Sequence, residues 1–162
     1  MEMTFNWFIK DGLNLRGARN LKNTPRGTFN CAGYALGTFA WYVPVGEGDG
    51  DDYCDPTIDV AIRTEMCVST MLTEFAGSLR RISSISELTK NEYAIAFRME
   101  TNGTDFHYVK RYSNGRWYQK HGGMPNIEPM SVEEVFSSDW VYNGICETLH
   151  YDGPIVLLAK RR

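Results

Sequence analysis

The sequence predicts an α+β fold, with N-terminal helices packed on a C-terminal antiparallel sheet. Three observations carry that expectation. Helix-start signals occur at Asn30-Cys31 and at Asp55-Pro56, both in the first half of the chain. From Leu79 onward the texture changes to short strand-like runs, with a hairpin signal at Asn114-Gly115. Helices followed by strands, without alternation, is the pattern of an α+β domain and not of βαβ units. A chain of 162 residues suits one domain, 1–162, with a sizeable core.

Taken in order, Met1 to Leu15 carries Phe5, Trp7 and Phe8 and is expected to be a short strand or an arm packed on the core. Arg16 to Thr28 is rich in Asn, Gly and Arg and reads as a loop. Asn30 is a good N-cap, so Cys31 opens a helix to about Tyr42, which Pro44 stops. Gly33 and Gly37 lie four apart on one face. They cost helix propensity, so another element is expected to approach closely there. Gly46 to Asp55 is acidic and glycine-rich. Its Glu47, Asp49 and Asp51 alternate as in a calcium loop, but Asp52 stands where that loop needs Gly and Ile58 where it needs Glu. It reads as a solvated loop. The second helix runs from Asp55-Pro56 to about Phe75, with Gly77 after its end. Ile58, Ile62, Met66, Val68 or Met71, Leu72 and Phe75 are read as its apolar stripe, with the methionines in the core.

In the second half, Arg80 to Ile85 is expected as a short strand and Ser86 to Asn91 as a turn. Tyr93 to Met99 is a buried strand that Asn102-Gly103 breaks. Phe106 to Tyr112 and Arg116 to His121 flank Asn114-Gly115 as a hairpin. Gly122 to Pro129 reads as loop. Ser131 to Glu134 is a capping box that opens a short helix to Phe136. Pro154 precedes a final buried strand, Ile155 to Ala159.

The net charge of -3 gives no general pull toward nucleic acid or an anionic membrane, and Lys160-Arg161-Arg162 is too short to be a nucleic-acid patch. The four cysteines, Cys31, Cys54, Cys67 and Cys146, contain no C-x-x-C pair. Met1 to Asp11 lacks the basic and apolar regions of a signal peptide, and no apolar run approaches a membrane span. Cytoplasmic synthesis with free thiols is expected. No cofactor is expected.

The chemistry is carried by order. A cysteine at a helix start is followed, after a second helix and one strand, by a histidine on a hairpin strand, Asp105-Phe106-His107-Tyr108. Unpaired N–H groups and the helix dipole would lower the thiol pKa of Cys31, and His107 would take its proton. Alone, Cys31 reads as a small buried hydrophobe, His107 as a hydrogen-bonded sheet residue, His121 as a loop residue and His150 as surface or core. A zinc site from Cys31, His107 and His121 has no local ligand pair behind it and ranks below catalysis. Trp117, Tyr118, Trp140, Tyr142 and Tyr151 could line a cleft, although aromatic residues in a sheet usually pack the core.

A third group must orient the imidazole, and register decides which can. A two-residue turn at Asn114-Gly115 puts Lys120 on the face of His107. An odd-length loop or a bulge puts Gln119 and His121 there. Lys120, a cation, would oppose an imidazolium. An irregular turn with Gly115 at positive φ is therefore expected. Gln119 stands ahead of His121 because its amide stays neutral, and Asn126 is the next candidate.

Asn30-Cys31, Asp105 to Tyr108 and the hairpin Ser113-Asn114-Gly115-Arg116-Trp117 through Gly122 resemble the papain-like cysteine hydrolases. The resemblance is closest to the compact bacterial and phage branch that includes the NlpC/P60 and CHAP peptidases. It implies a papain-like α+β fold, Cys31 as nucleophile, His107 as base, and a third polar residue on the next strand. It also implies a peptide, protein or peptidoglycan substrate. An Asp-Cys-Ser-Gly-type nucleophile motif is not present, and Gln119 stands where a histidine or an acid is common. Two other functions compete with hydrolysis. One is a catalytically silent papain-like binding or virion-associated protein. The other is an unrelated α+β interaction domain with a chance Cys/His pairing.

Overall fold

A computed structural model of the chain describes residues 20–45, 53 and 55–162. The expected N-terminal arm, Met1 to Leu15, the start of the loop after it, Cys54 and nearly all of the acidic loop lie outside the described residues.

The described residues form three α-helices, α1 (Cys31–Leu36), α2 (Val60–Glu74) and α3 (Val132–Val135), and two single 3-10 turns at Arg26–Thr28 and Ile85–Glu87. The strands are β1 (Leu79–Ile82), β2 (Glu92–Met99), β3 (Phe106–Arg111), β4 (Trp117–Lys120), β5 (Ile127–Met130), β6 (Trp140–Asn143), β7 (Thr148–Tyr151) and β8 (Val156–Arg161). Six strands make one antiparallel sheet in the order β1-β8-β2-β3-β4-β5, and β6 pairs with β7 in a second.

This corrects the expected fold class. The N-terminal helices packed on a sheet, as the papain-like α+β reading required, are replaced by a mostly antiparallel β architecture. Among the described residues only α2 is longer than seven residues, and the short helices form no N-terminal bundle. Two local causes stand out. The expected 12-residue helix from Cys31 ends after six residues, because Gly37 enters the left-handed region at φ 73° and its N–H caps on the Tyr34 carbonyl. The chain then folds back, with the Phe39 N–H on the Gly33 carbonyl. Gly33 is required there, since a Cβ on it would stand 1.8 Å from the Ala40 carbonyl oxygen. In the second half, β5, β6 and β7 lie in stretches whose sequence signals were loop-like or silent.

Helix α2 starts later than expected. Asp55 makes a local turn, accepting from the Thr57 N–H and hydroxyl, and Asp59 is the cap, accepting from Ala61 N–H at 2.8 Å. Its buried face is Arg63, Thr64, Cys67, Val68, Thr70 and Met71, while Ile62 is exposed. Of the expected stripe, Val68, Met71 and Phe75 are buried, whereas Ile62 points outward and Arg63 takes the buried position beside it.

Alternation along the strands divides the core in two. Phe106 and Tyr108 of β3 join Cys31, Ala32, Ala35, Cys67 and Met71 on the helix side of the large sheet. Val109 and Trp117 join Trp140 and Tyr151 on the other side, which the β6–β7 hairpin covers. Buried arginines tie loops to this frame through backbone carbonyls. Arg63 donates to Ile58, Glu100, Thr101 and Gly103, and Arg98 donates to Ser137, Ser138 and Gly153. Arg63 thus fixes the loop that delivers Asp105 to the start of β3.

Candidate active site

Asn30 builds the cysteine end of the site. Its side-chain oxygen accepts from Gly33 N–H at 3.0 Å and from Tyr42 N–H at 3.2 Å, and its Nδ2 donates to the Tyr42 carbonyl at 2.6 Å. One buried amide therefore caps α1 and pins the returning chain. It sets Cys31 as the first helical residue, as expected. Cys31 is 4 % exposed, and its Sγ lies 4.0 Å from the Phe106 carbonyl oxygen, in the peptide that joins Phe106 to His107.

The expected lowering of the Cys31 thiol is not what this setting produces. Burial, with the Asp105 carboxylate behind it, pushes the thiol up to about 12. The Tyr108 and Ala32 N–H groups and Lys120 pull the other way and lose. A helix of six residues also has only a small dipole to offer.

The hairpin sets the other half. Tyr112 N–H donates to the Arg116 carbonyl and Gly115 N–H to the Tyr112 carbonyl, which closes a three-residue loop over Ser113, Asn114 and Gly115. Gly115 sits at φ 84°, and Val109 pairs with Gln119. This is the odd register. It puts His107, Gln119 and His121 on one face and Lys120 on the face of Cys31.

His107 is 1 % exposed, and its Nε2 lies 3.0 Å from Gln119 Oε1. The amide oxygen is an acceptor, so Nε2 carries the proton and Nδ1 of the neutral ring is an acceptor. The ring is held flat between two others. His121 stacks on it at 4.4 Å and 3°, Tyr151 at 5.2 Å and 25°, and Tyr142 continues the column behind His121 at 3.9 Å. Burial first, then His121, holds His107 down at about 3; burial holds His121 at about 4. Both rings are neutral at physiological pH.

Cys31, His107 and His121 line one cleft of about 970 Å³, together with Trp41, Asp105 and Tyr151. Among the described residues no hydrogen bond joins Cys31 to the His107 ring, and the two side chains belong to opposite sides of the sheet at the start of β3. Gln119 lies on a second, smaller cavity behind His107. His150 stands apart on the surface, paired with Asp139 at 2.6 Å. Asn126 is exposed and lines neither cavity.

Two residues of the site do more than the sequence assigned them: Asp105 was quoted only within its motif, and Tyr151 only among the aromatic residues that could line a cleft, which it does. Asp105 Oδ1 accepts from Phe106 N–H, and its Oδ2 accepts from the Tyr151 hydroxyl at 2.7 Å. Tyr151 thereby joins the ring column to the carboxylate that faces Cys31. Its only signal was its aromatic character, since nothing in sequence marks β7 as passing over β3. Among the described residues no three His, Cys, Asp or Glu side chains gather as a metal site. No helix among them is long and apolar enough to cross a membrane.

In comparison with known proteins, no family model, curated protein or solved structure matches the chain.

Proposed function

We propose that the protein is a cysteine hydrolase that cleaves a peptide or amide bond, with Cys31 as nucleophile, His107 as base and acid, and Gln119 as the orienting residue. The observation behind this reading is the Nε2–H···Oε1 bond from His107 to Gln119. It leaves Nδ1 as the acceptor on a ring that borders the same cleft as Cys31. Because the resting thiol and imidazole are both neutral, the proton moves as substrate binds and not before. The S–H bond breaks, the proton passes to Nδ1 through one water in the shared cleft, and the sulfur lone pair forms the bond to the carbonyl carbon. The Cys31 N–H, which has no intrahelical acceptor at the helix start, would donate to the oxyanion. Collapse expels the amine, which takes the proton from Nδ1, and water then hydrolyses the thioester. The substrate class comes from the family resemblance of Asn30-Cys31 and Asp105 to Tyr108, which makes a peptide, a protein or a peptidoglycan stem the partner.

The test is hydrolysis of a panel of peptide and amide substrates by the wild-type protein, Cys31→Ala and His107→Ala. The reading expects turnover that both substitutions abolish. Turnover unaffected by Cys31→Ala would reject it.

A second reading, a binding protein without chemistry, is favoured by one observation. Cys31 Sγ faces a backbone carbonyl in a buried setting that holds it as a thiol. Binding of a peptide that remains uncut and is insensitive to Cys31→Ala would select it.

A further inference from the structure

Lys120 is the buried charge that the site has not yet used. It is 0 % exposed, at the end of β4, on the same side of the sheet as Cys31. Its Nζ donates to the carbonyl of Phe29, two residues before Cys31, and to the carbonyl of Gly122 at 2.7 Å. It also lies over the Phe29 ring at 4.6 Å from the centroid. Among the described residues no carboxylate pairs with it. A buried ammonium without an anion is costly, and two neutral carbonyls offset only part of that cost.

We propose that Lys120 is a positioning residue of the candidate site, whose clamped ammonium is the counter-charge for the Cys31 thiolate at the moment His107 holds the proton. The proposal rests on the hydrolase reading for its purpose but not for its test. Lys120 keeps all three of its protons throughout: the thiol proton goes to His107, and the ammonium offsets the charge left on sulfur. The clamp serves the same end, because it fixes the Phe29–Asn30–Cys31 turn to the Gly122 loop that borders the cleft.

The other charged and titratable groups around the pair are few. Asp105, ahead of β3, works against the thiolate; Arg26 works against the Lys120 ammonium; the Tyr108 hydroxyl is hydrogen-bonded to Met71 Sδ and the Tyr151 hydroxyl to Asp105. Burial brings the Lys120 ammonium down to about 8, and Cys31 is what pulls it back up. The ammonium in turn pulls the Cys31 thiol down. Such coupling is reciprocal.

The experiment reads the thiol, not turnover, so a chain that hydrolyses nothing can pass and an active one can fail. Iodoacetamide labelling of Cys31 is followed by peptide mass spectrometry between pH 7 and 10 in wild type, Lys120→Met and Lys120→Arg, with near-ultraviolet circular dichroism to check packing. Labelling rate follows the thiolate fraction. Lys120→Met is expected to slow labelling of Cys31 by about tenfold at pH 7, the equivalent of one pKa unit, with the difference shrinking above pH 8 as the wild-type ammonium is lost and with the exposed Cys146 unchanged. Lys120→Arg is expected to restore most of the rate. If Lys120→Met does not fold, the wild-type profile decides: Cys31 labelling is expected to rise about tenfold per pH unit below 8 and to fall short of that slope above it, as the ammonium is lost. An unchanged Cys31 rate at pH 7 in folded Lys120→Met, or an unbroken tenfold-per-unit rise of the wild-type rate from pH 7 to 10, overturns it.

Discussion

His107 Nε2 and Gln119 Oε1 meet at 3.0 Å as a diagonal pair across β3 and β4. They meet because the hairpin between them carries three loop residues and not two. A two-residue turn would have put Lys120 on the histidine's face. One residue of loop length therefore separates a neutral hydrogen-bond acceptor from a cation beside the imidazole.

Loss of that bond frees the ring to rotate and to change tautomer. Gln119→Ala is expected to lower turnover by about tenfold or more with little change in stability. His121→Ala, which removes only a stacking neighbour, is expected to cost less. Steady-state kinetics on both variants, with urea unfolding as control, checks the order. Equal losses would assign the orienting role to the stack instead of to the amide.

The left-handed residue that closes the loop is Gly115, at φ 84°. Gly115→Ala should destabilise the fold by about 1 kcal/mol, since an L side chain is disfavoured there. Chemical denaturation measures this. A neutral substitution would mean that the loop can adopt another geometry.

Much of this hairpin was legible in the sequence. Asn114-Gly115 marks a turn, and the need for a polar partner to His107 selects the odd register. Asn30 was equally legible as a cap. The returning chain after Gly37 was not, because Thr38 to Val43 has the composition of a helix and only tertiary contact, the Ala40 carbonyl on Gly33, decides otherwise. Strands β6 and β7 were missed because half-exposed four-residue strands carry too few alternations to register. The Cys31 thiol was misjudged for a related reason. Sequence displays the helix start but not the burial or the Asp105 carboxylate that outweigh it.

Gly33 gives the largest expected stability effect. A methyl group there meets backbone and not a flexible side chain, 1.8 Å from the Ala40 oxygen. Gly33→Ala should cost about 3 kcal/mol or more, as overpacking against a rigid neighbour does. A denaturant midpoint close to wild type would show that the returning chain can move aside.

The two stacked histidines make stability depend on pH. Their folded values, about 3 for His107 and about 4 for His121, lie below the ordinary value of 6.5. Between these limits the unfolded chain binds more protons than the folded one, so stability rises with pH. It is fully present above 6.5 and is lost progressively as pH falls toward 3. Melting temperatures from pH 7.5 to 4 should fall in wild type and fall less steeply in His121→Gln. Parallel curves would place the acid sensitivity in other groups.

The proposed hydrolysis needs Cys31 as nucleophile and His107 as the group that takes its proton. The most direct measurement is covalent capture with a peptidyl acyloxymethyl ketone at pH 7.5, located by peptide mass spectrometry in wild type and His107→Ala. An adduct is expected on Cys31 in wild type and is lost in His107→Ala, while Cys67 stays unmodified. An adduct confined to the exposed Cys146, or one on Cys31 that survives undiminished in His107→Ala, would contradict it.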